Sequence, residues 1–533
     1  MHTPAATRLP LPELAQPLAL HGRAASSALE QWAQPRLPAH TLMARAGAAC
    51  FALSAALAPH ARRVWVACGP GHNGGDGLLA AAAWQRRLQP LGGEVWLNWL
   101  RPEGPLSADC SCAWAQAQAS GLQVRASAPP PDWPDLALDA LFGLGLARAV
   151  RGLADDWIAR LQALPVPVLC LDLPSGLCAD SGHWWASAAP RASAQRHTLS
   201  LLTLKPGLFT QHGRSAAGTL WFHDLGLAEL APPASDPAAA PSAWLHAPSH
   251  PPPRVLRRLP LATHKGSYGS VAVIGGQVAH NTHGTHAHGT HMLGAALLAA
   301  RAALRGGAGR VYLAWLAGAS AAPAPLLDPL QPELMLRPLA ALLDAALLQE
   351  LVTVCGCGGG QAVAGCLGTV LAHSRLLVLD ADALNAVADA PALQAQLAQR
   401  WGQGRGTVLT PHPLEAARLL GSAVERVQAD RLGAAQALAE RFRCVVLLKG
   451  AGTVVAAPGL PTRLNPSGNA LLASPGSGDA LAGLIGAELA HTPPDSLETL
   501  QRACADAAYW HGLSAERWPP GAPLPSASEL LRL

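Results

Sequence analysis

The sequence predicts two successive α/β domains, each a parallel sheet covered by helices. Three observations carry this expectation. Apolar runs of strand length alternate with Ala-rich helical stretches through both halves of the chain, which is the grammar of a sheet and its covering helices. A seam between Gly226 and Pro253 holds Pro232-Pro233, Pro237, Pro241, Pro248 and Pro251-Pro252-Pro253, and such a stretch sustains neither a helix nor an interior strand. At 533 residues the chain also exceeds what a single hydrophobic core usually spans. The expected division is 1–230 and 254–533, with 231–253 as linker.

In the first half, Val64 to Cys68, Glu94 to Leu97, Leu136 to Phe142 and Val166 to Leu171 read as strands. The first runs into Gly69-Pro70-Gly71-His72-Asn73-Gly74-Gly75-Asp76-Gly77 and then an Ala/Leu-rich helical segment from Leu78 to Leu88. Five glycines in nine residues permit a tight turn and close approach of backbone to a ligand, and a following helix start offers free N–H groups to an anion. The spacing matches neither the dinucleotide fingerprint nor a Walker loop. Asp139 to Gly145 and Asp172-Leu173-Pro174-Ser175-Gly176 each put a carboxylate at a strand end with a glycine turn behind it. Loops at the carboxyl ends of a doubly wound sheet converge on one crevice, so Asn73, Asp76, Asp139, Asp172 and Ser175 could face one another. Such an oxygen-rich set suits a hard cation or acid–base chemistry. Each Asp taken alone is more simply explained as a cap or turn former.

In the second half, Ser270 to Ile274, Arg310 to Ala314, Leu376 to Leu379, Gly406 to Leu409 and Cys444 to Leu448 read as strands. Leu293 to Leu304, Pro413 to Leu420, Asp430 to Phe442 and Asp479 to Ala490 read as helices. Asn465 to Asn469 leads through Ser474-Pro475-Gly476-Ser477-Gly478-Asp479 into the last of these. Loop amides at that helix start can stabilise a transferring phosphoryl group, and Asp479 could take a proton from an attacking hydroxyl. Lys449-Gly450-Ala451-Gly452-Thr453 is a candidate second phosphate loop, and His412, between two prolines, either reaches the same pocket or is structural. Only three lysines occur, Lys205, Lys265 and Lys449, all beside Gly or Pro turns. A Lys retained among so many Arg suggests a site that a planar guanidinium does not fit.

Composition excludes other classes. Charged residues make up 14% and the net charge is only +4, with no basic run or stripe for nucleic acid. No uncharged apolar run reaches a membrane span, and Pro10, Pro12 and Glu13 interrupt the place of a signal-peptide core, so a cytoplasmic protein is expected. Eleven scattered cysteines without a C-x-x-C pair suggest neither a disulfide framework nor zinc. Cys110/Cys112 and Cys355/Cys357 read as reduced small residues. A low-complexity segment, His280 to His291, carries five His.

Gly69 to Gly77, Asp139 to Gly145, Asp172 to Gly176, Lys205-Pro206-Gly207 and the upstream Leu42 to Gly47 resemble, in the same order, the NAD(P)H-hydrate epimerase domain. That resemblance implies a Rossmann-like three-layer fold and interconversion of the two epimers of a nicotinamide cofactor hydrated at C6. It places His72, Asn73, Gly74, Gly75, Asp76, Gly143, Leu144, Gly145, Leu146, Ala147, Arg148 and Ala149 on the substrate. It also implies a potassium ion on Asn73, Asp139 and Ser175, and Asp172 as the acid–base group. The departures are Ala44 where the family usually has Glu, and His72 where it often has Asn.

Lys265 to Gly269, Val273 to Gly276, Gly356 to Gly360, Asp380 to Asn385, His412, Lys449 to Thr453 and Gly478-Asp479 are similar to the ADP- or ATP-dependent NAD(P)H-hydrate dehydratases, a ribokinase-like α/β family. The resemblance implies phosphorylation of the ring hydroxyl followed by loss of phosphate. Lys449, Gly450, Ala451, Gly452, Thr453 and Gly478 would bind the nucleotide, expected to be ADP with Mg2+. Ala295, Gly358, His412 and Asp479 would contact the hydrate, with Asp479 as base. Here the departures are the His-rich insert and Cys357, where the family usually has Pro. Expected partners are NADHX or NADPHX and ADP, in a homo-oligomer touching neither nucleic acid nor membrane. The competing expectations are a small-molecule kinase in the second half, and a first half that only binds ligand.

Overall fold

The computed structural model describes residues 6–230, 236, 240–250, 262–278, 292–317 and 327–531. The His-rich segment His280 to His291 and most of the proline-rich seam lie outside the described residues. The chain divides into two compact units, Met1–Pro10 with Ala19–Trp244, and Leu11–Leu18 with Leu245–Leu533.

In the first unit the sheet runs in the order Thr7–Arg8, Thr219–His223, Arg196–Leu201, Val168–Leu171, Leu136–Ala140, Arg63–Cys68, Glu94–Trp99. All neighbours pair in parallel except Thr7–Arg8, which is antiparallel to its partner. Chain order reverses between Arg63–Cys68 and Leu136–Ala140, so a crevice opens beyond their carboxyl ends. Both faces are covered, which is why Val64, Trp65, Val66, Ala67 and Cys68 are buried in succession rather than alternately.

Helix His72–Leu88 starts six residues earlier than the sequence suggested. The residues read as loop from His72 to Gly77 are its opening turns. Glycine disfavours helix by about 1 kcal/mol, but here close packing decides. A Cβ on Gly74 would lie 2.0 Å from Gly69 O, and one on Gly77 would lie 2.4 Å from Ala140 Cβ.

In the second unit, seven strands pair in parallel in the order Met335–Leu336, Arg310–Ala317, Ser270–Val278, Val352–Cys355, Leu376–Leu379, Gly406–Leu409, Val445–Leu448. The antiparallel strands Val454–Ala456 and Thr462–Leu464 follow. Alternate residues serve the two faces. Val378, Val408, Val445 and Leu447 join one core with Ala299 and Ile485, while Leu377, Leu379, Leu409, Val446 and Leu448 join the other with Leu367, Leu384 and Leu438. The result is the three-layer α/β arrangement expected for both halves. Helix Ser477–His491 rests on helix Leu293–Arg305 so closely that a Cβ on Gly483 would stand 2.0 Å from Ala299 O. Chain order reverses between Ser270–Val278 and Val352–Cys355, again opening a crevice.

Candidate active sites

The first unit holds a cavity of about 750 Å3 at its switch point. His72, Asn73 and Asp76 line it from the helix, Gly143 to Arg148 from the loop after Leu136–Ala140, and Asp172 with Lys205 from the next strand ends. Gly74 and Gly75 face inward instead, the latter against Met43, where a Cβ would meet the sulfur at 2.7 Å. Both therefore build the helix start. Gly71 and Gly145 have open space where a Cβ would be.

Below the cavity, Asp139 and Ser175 are buried together. Asp139 accepts hydrogen bonds from Ser175 N (3.0 Å) and Ser175 Oγ (2.5 Å), and Ser175 Oγ accepts from Phe142 N (2.9 Å). Burial raises the Asp139 carboxyl above its ordinary range. The side-chain amide of Asn73 is buried with neither its nitrogen nor its oxygen hydrogen-bonded. An orphaned amide oxygen and a desolvated carboxylate fit an oxygen-coordinated monovalent cation. Asp76 is raised well above its usual value, by burial first and then by the charge of Asp172. The His72 imidazole is raised by the neighbouring carboxylate of Glu30, whose Oε1 stands 3.6 Å from Nδ1.

Asp172 follows strand Val168–Leu171 with φ +63°, a left-handed conformation for a non-glycine residue. One carboxylate oxygen accepts from Lys205 Nζ and from Leu201 N (3.2 Å). The other lies 3.1 Å from where a Gly143 Cβ would stand. Lys205 was visible in the sequence as a rare lysine, but its pairing with Asp172 was not.

In the second unit the strand-end residues also meet. Lys449 Nζ is 2.6 Å from Asp380 Oδ1 and 4.0 Å from Glu415, and Thr410 Oγ1 donates to Asp380 (2.8 Å). Gly478, opening helix Ser477–His491, would bring a Cβ to 3.2 Å from Lys449 Nζ. The ligand atoms of Cys357, Asp380 and Asp479 all lie within 4.8 Å of one another, so Cys357 belongs to this site. Asp479 is not a helix cap: Gly476, at φ +85°, holds that position. Burial, and then Asp380, push the Asp479 carboxyl up to about 6, and burial pushes Glu415 up to about 7. Ala295 and Gly358 pack side by side, a Gly358 Cβ falling 2.9 Å from that of Ala295.

Of the two roles left open for His412, the structure shows the structural one. It caps helix Pro413–Leu420, its Nδ1 accepting from Leu414 N (3.1 Å) while Glu415 accepts from its backbone N–H (2.7 Å). Its Nε2 stands 3.3 Å from Glu415 Oε1. Burial, and next the Lys449 charge, lower its affinity for a proton.

Sequence reading missed Arg431. It is 1% exposed and sits directly behind the Lys449 to Thr453 loop. Its Nη2 donates to the carbonyls of Leu448 (3.3 Å), Lys449 (3.2 Å) and Gly452 (3.5 Å). Thr453 Oγ1 closes the turn on Gly450 O at 3.2 Å. Gly450, at φ +135°, leaves room for the guanidinium, since a Cβ would approach Nη1 to 2.9 Å. Arg431→Met is expected to loosen this loop and raise the KM for nucleotide by roughly 10-fold or more, as loss of about 1.5–3 kcal/mol of charge-assisted hydrogen bonding implies. Steady-state kinetics with varied nucleotide checks this.

The family model of the YjeF-related protein N-terminus matches residues 39–207, and that of NAD(P)H-hydrate dehydratase matches residues 287–529. The bifunctional NAD(P)H-hydrate repair enzyme Nnr of Escherichia coli strain K12 is 36% identical over 490 residues, covering 90% of this chain and 85% of that protein. The chain belongs to the bifunctional NAD(P)H-hydrate repair enzymes. A second member of this repair-enzyme family, from Coxiella burnetii, is 33% identical with 90% of each chain covered. Among solved structures, the ADP/ATP-dependent NAD(P)H-hydrate dehydratase of Bacillus subtilis, co-crystallised with ATP/Mg2+, is 28% identical, covering 52% of this chain and 92% of its own, with a TM-score of 0.41. Among the described residues of this repair-enzyme chain, no single helix is long and apolar enough to cross a membrane.

Proposed function

We propose that the two sites repair hydrated nicotinamide cofactor in sequence, the first unit interconverting R- and S-NAD(P)HX and the second dehydrating the S epimer with ADP. The observation that carries this reading is the meeting of Asp380, Lys449, Gly478 and Asp479 at the strand ends of the second unit. Asp479 takes the proton of the C6 hydroxyl as its oxygen attacks the terminal phosphorus of ADP. The bridging P–O bond breaks and AMP leaves. Hydroxide is a poor leaving group and phosphate a good one, so the C6–O bond then breaks with loss of a C5 proton, restoring the dihydropyridine ring. The ammonium of Lys449 and the amides opening helix Ser477–His491 meet the negative charge of the phosphoryl group.

The carboxyl groups of Asp380 and Glu415, which share the single ammonium of Lys449, would hold a magnesium ion brought with the nucleotide, which would supply charge neutralisation on the phosphates. In the first unit Asn73, Asp139 and Ser175 would hold potassium, and the cavity lined by His72, Asp76 and Gly143 to Arg148 would seat the coenzyme above Asp172. The partners in this reading are NADHX or NADPHX and ADP, handled in the cytoplasm.

A base raised to about 6 sets the pH dependence. Asp479 is protonated and inactive below that value and ionised above it, so kcat/KM for dehydration is expected to rise as pH increases through about 6 and to level off beyond. A pH–rate profile on the S epimer checks this, and a flat profile down to pH 5 contradicts it.

A further inference from the structure

Lys205 is 1% exposed yet forms part of the wall of the first-unit cavity. Its ammonium has three protons and three close acceptors: an Asp172 carboxylate oxygen, Leu201 O (2.6 Å) and Thr203 O (2.9 Å), with Ser200 Oγ at 3.5 Å. These partners lie on two turns that pass through the left-handed region, one at Asp172, φ +63°, after strand Val168–Leu171, the other at Leu202, also φ +63°, between the carbonyls of Leu201 and Thr203. Such conformations are strained and persist only where surrounding contacts enforce them. A tetrahedral donor on a flexible stem satisfies three converging acceptors that a planar guanidinium does not match.

We propose that Lys205 is the positioning residue of the epimerase site, clamping two strained strand-end turns so that Asp172 is a carboxylate with one oxygen tied down and the other turned toward the Gly143 loop and the substrate. This rests on the epimerase reading above. Lys205 spends its protons on fixed acceptors, so it shuttles none, and proton transfer to and from the ring is left to Asp172.

The test compares wild type, Lys205→Met, Lys205→Ala and Lys205→Arg in R-to-S epimerisation, with melting curves for each. Lys205→Met, which preserves volume without charge, is expected to lower kcat by roughly 100-fold while KM stays within about threefold. Methylammonium added to Lys205→Ala is expected to recover activity about tenfold, where methanol does nothing. A purely structural role would respond to volume and not to charge. Lys205→Met with kcat near wild type, a loss confined to KM, or equal rescue by methanol overturns the proposal. Should the uncharged variants fail to melt cooperatively, Lys205→Arg decides, since a wild-type kcat with the fork in place contradicts the clamp. A wild type that does not interconvert the epimers overturns the epimerase reading itself, whereas wild-type turnover with an unaffected Lys205→Met overturns this inference alone.

Discussion

Asp479→Asn is expected to stop dehydration while leaving epimerisation intact. The side chain stands in the first turn of helix Ser477–His491 but does not cap it, and Gly476 makes the turn. Its carboxyl is disfavoured as an anion there by burial and by Asp380, so a neutral Asn of the same shape relieves repulsion and keeps the fold. What is lost is the proton acceptor. Positioned general bases are worth roughly 10²–10⁴ in rate, so kcat on the S epimer should fall by that factor, with a melting temperature equal to or above that of wild type. S-epimer consumption with ADP, beside a thermal melt, checks both. A variant keeping more than about a tenth of wild-type turnover removes Asp479 from the base role.

Asp172→Asn is expected to separate the two halves of the reaction. Asn still offers Lys205 and Leu201 N an oxygen acceptor, in place of the bonds that Asp172 accepts, but it takes no proton. The variant leaves the ammonium of Lys205 buried without a counter-charge, a loss of about 3–5 kcal/mol when one partner of a buried pair is removed, so its melting temperature should drop. Consumption of the S epimer should remain at the wild-type rate, because the second unit does that work. Consumption of the R epimer should fall by roughly 10²–10⁴ toward the uncatalysed rate. Chromatographic resolution of the two epimers during turnover reads this directly, and equal loss of both epimers would contradict the assignment.

Much of the fold was legible because its strands are apolar runs. Leu376–Leu379 and Gly406–Leu409 stand where the sequence placed them. Strand Arg196–Leu201 was not seen, since Arg196, Thr198 and Ser200 give it a polar look. In place they are buried and bonded, Thr198 Oγ1 to Ala217 O and Ser200 Oγ to Thr203 O. The start of helix His72–Leu88 was misread for a related reason: glycine speaks against helix locally, while the contact of Gly74 with Gly69 O is tertiary.

Of the candidate sites, carboxylates at strand ends were legible, because parallel topology sends such ends to one crevice. Asp139 and Asp172 lie at such mouths, and Asp479 stands in the opening turn of helix Ser477–His491. Partners supplied by distant segments were not. Glu415 looks like a capping residue for His412 and is one, yet its other contact is Lys449. Arg431 looks like the first exposed residue after an N-cap, and only the folded chain shows it gripping carbonyls 17 to 21 residues onward. Cys357 reads as a reduced small residue, and its sulfur shares the space of Asp380 and Asp479.

In the proposed reading, one chain consumes both epimers of the hydrate through two separate carboxylates, Asp172 and Asp479. The most direct measurement mixes the epimers of hydrated NADH with ADP and Mg2+ and follows recovery of the reduced-nicotinamide absorbance. Complete recovery by wild type is predicted, with arrest after the S fraction in Asp172→Asn and no recovery in Asp479→Asn. A wild type that leaves the R epimer untouched, or that accumulates a phosphorylated product without regenerating NADH, would contradict the account.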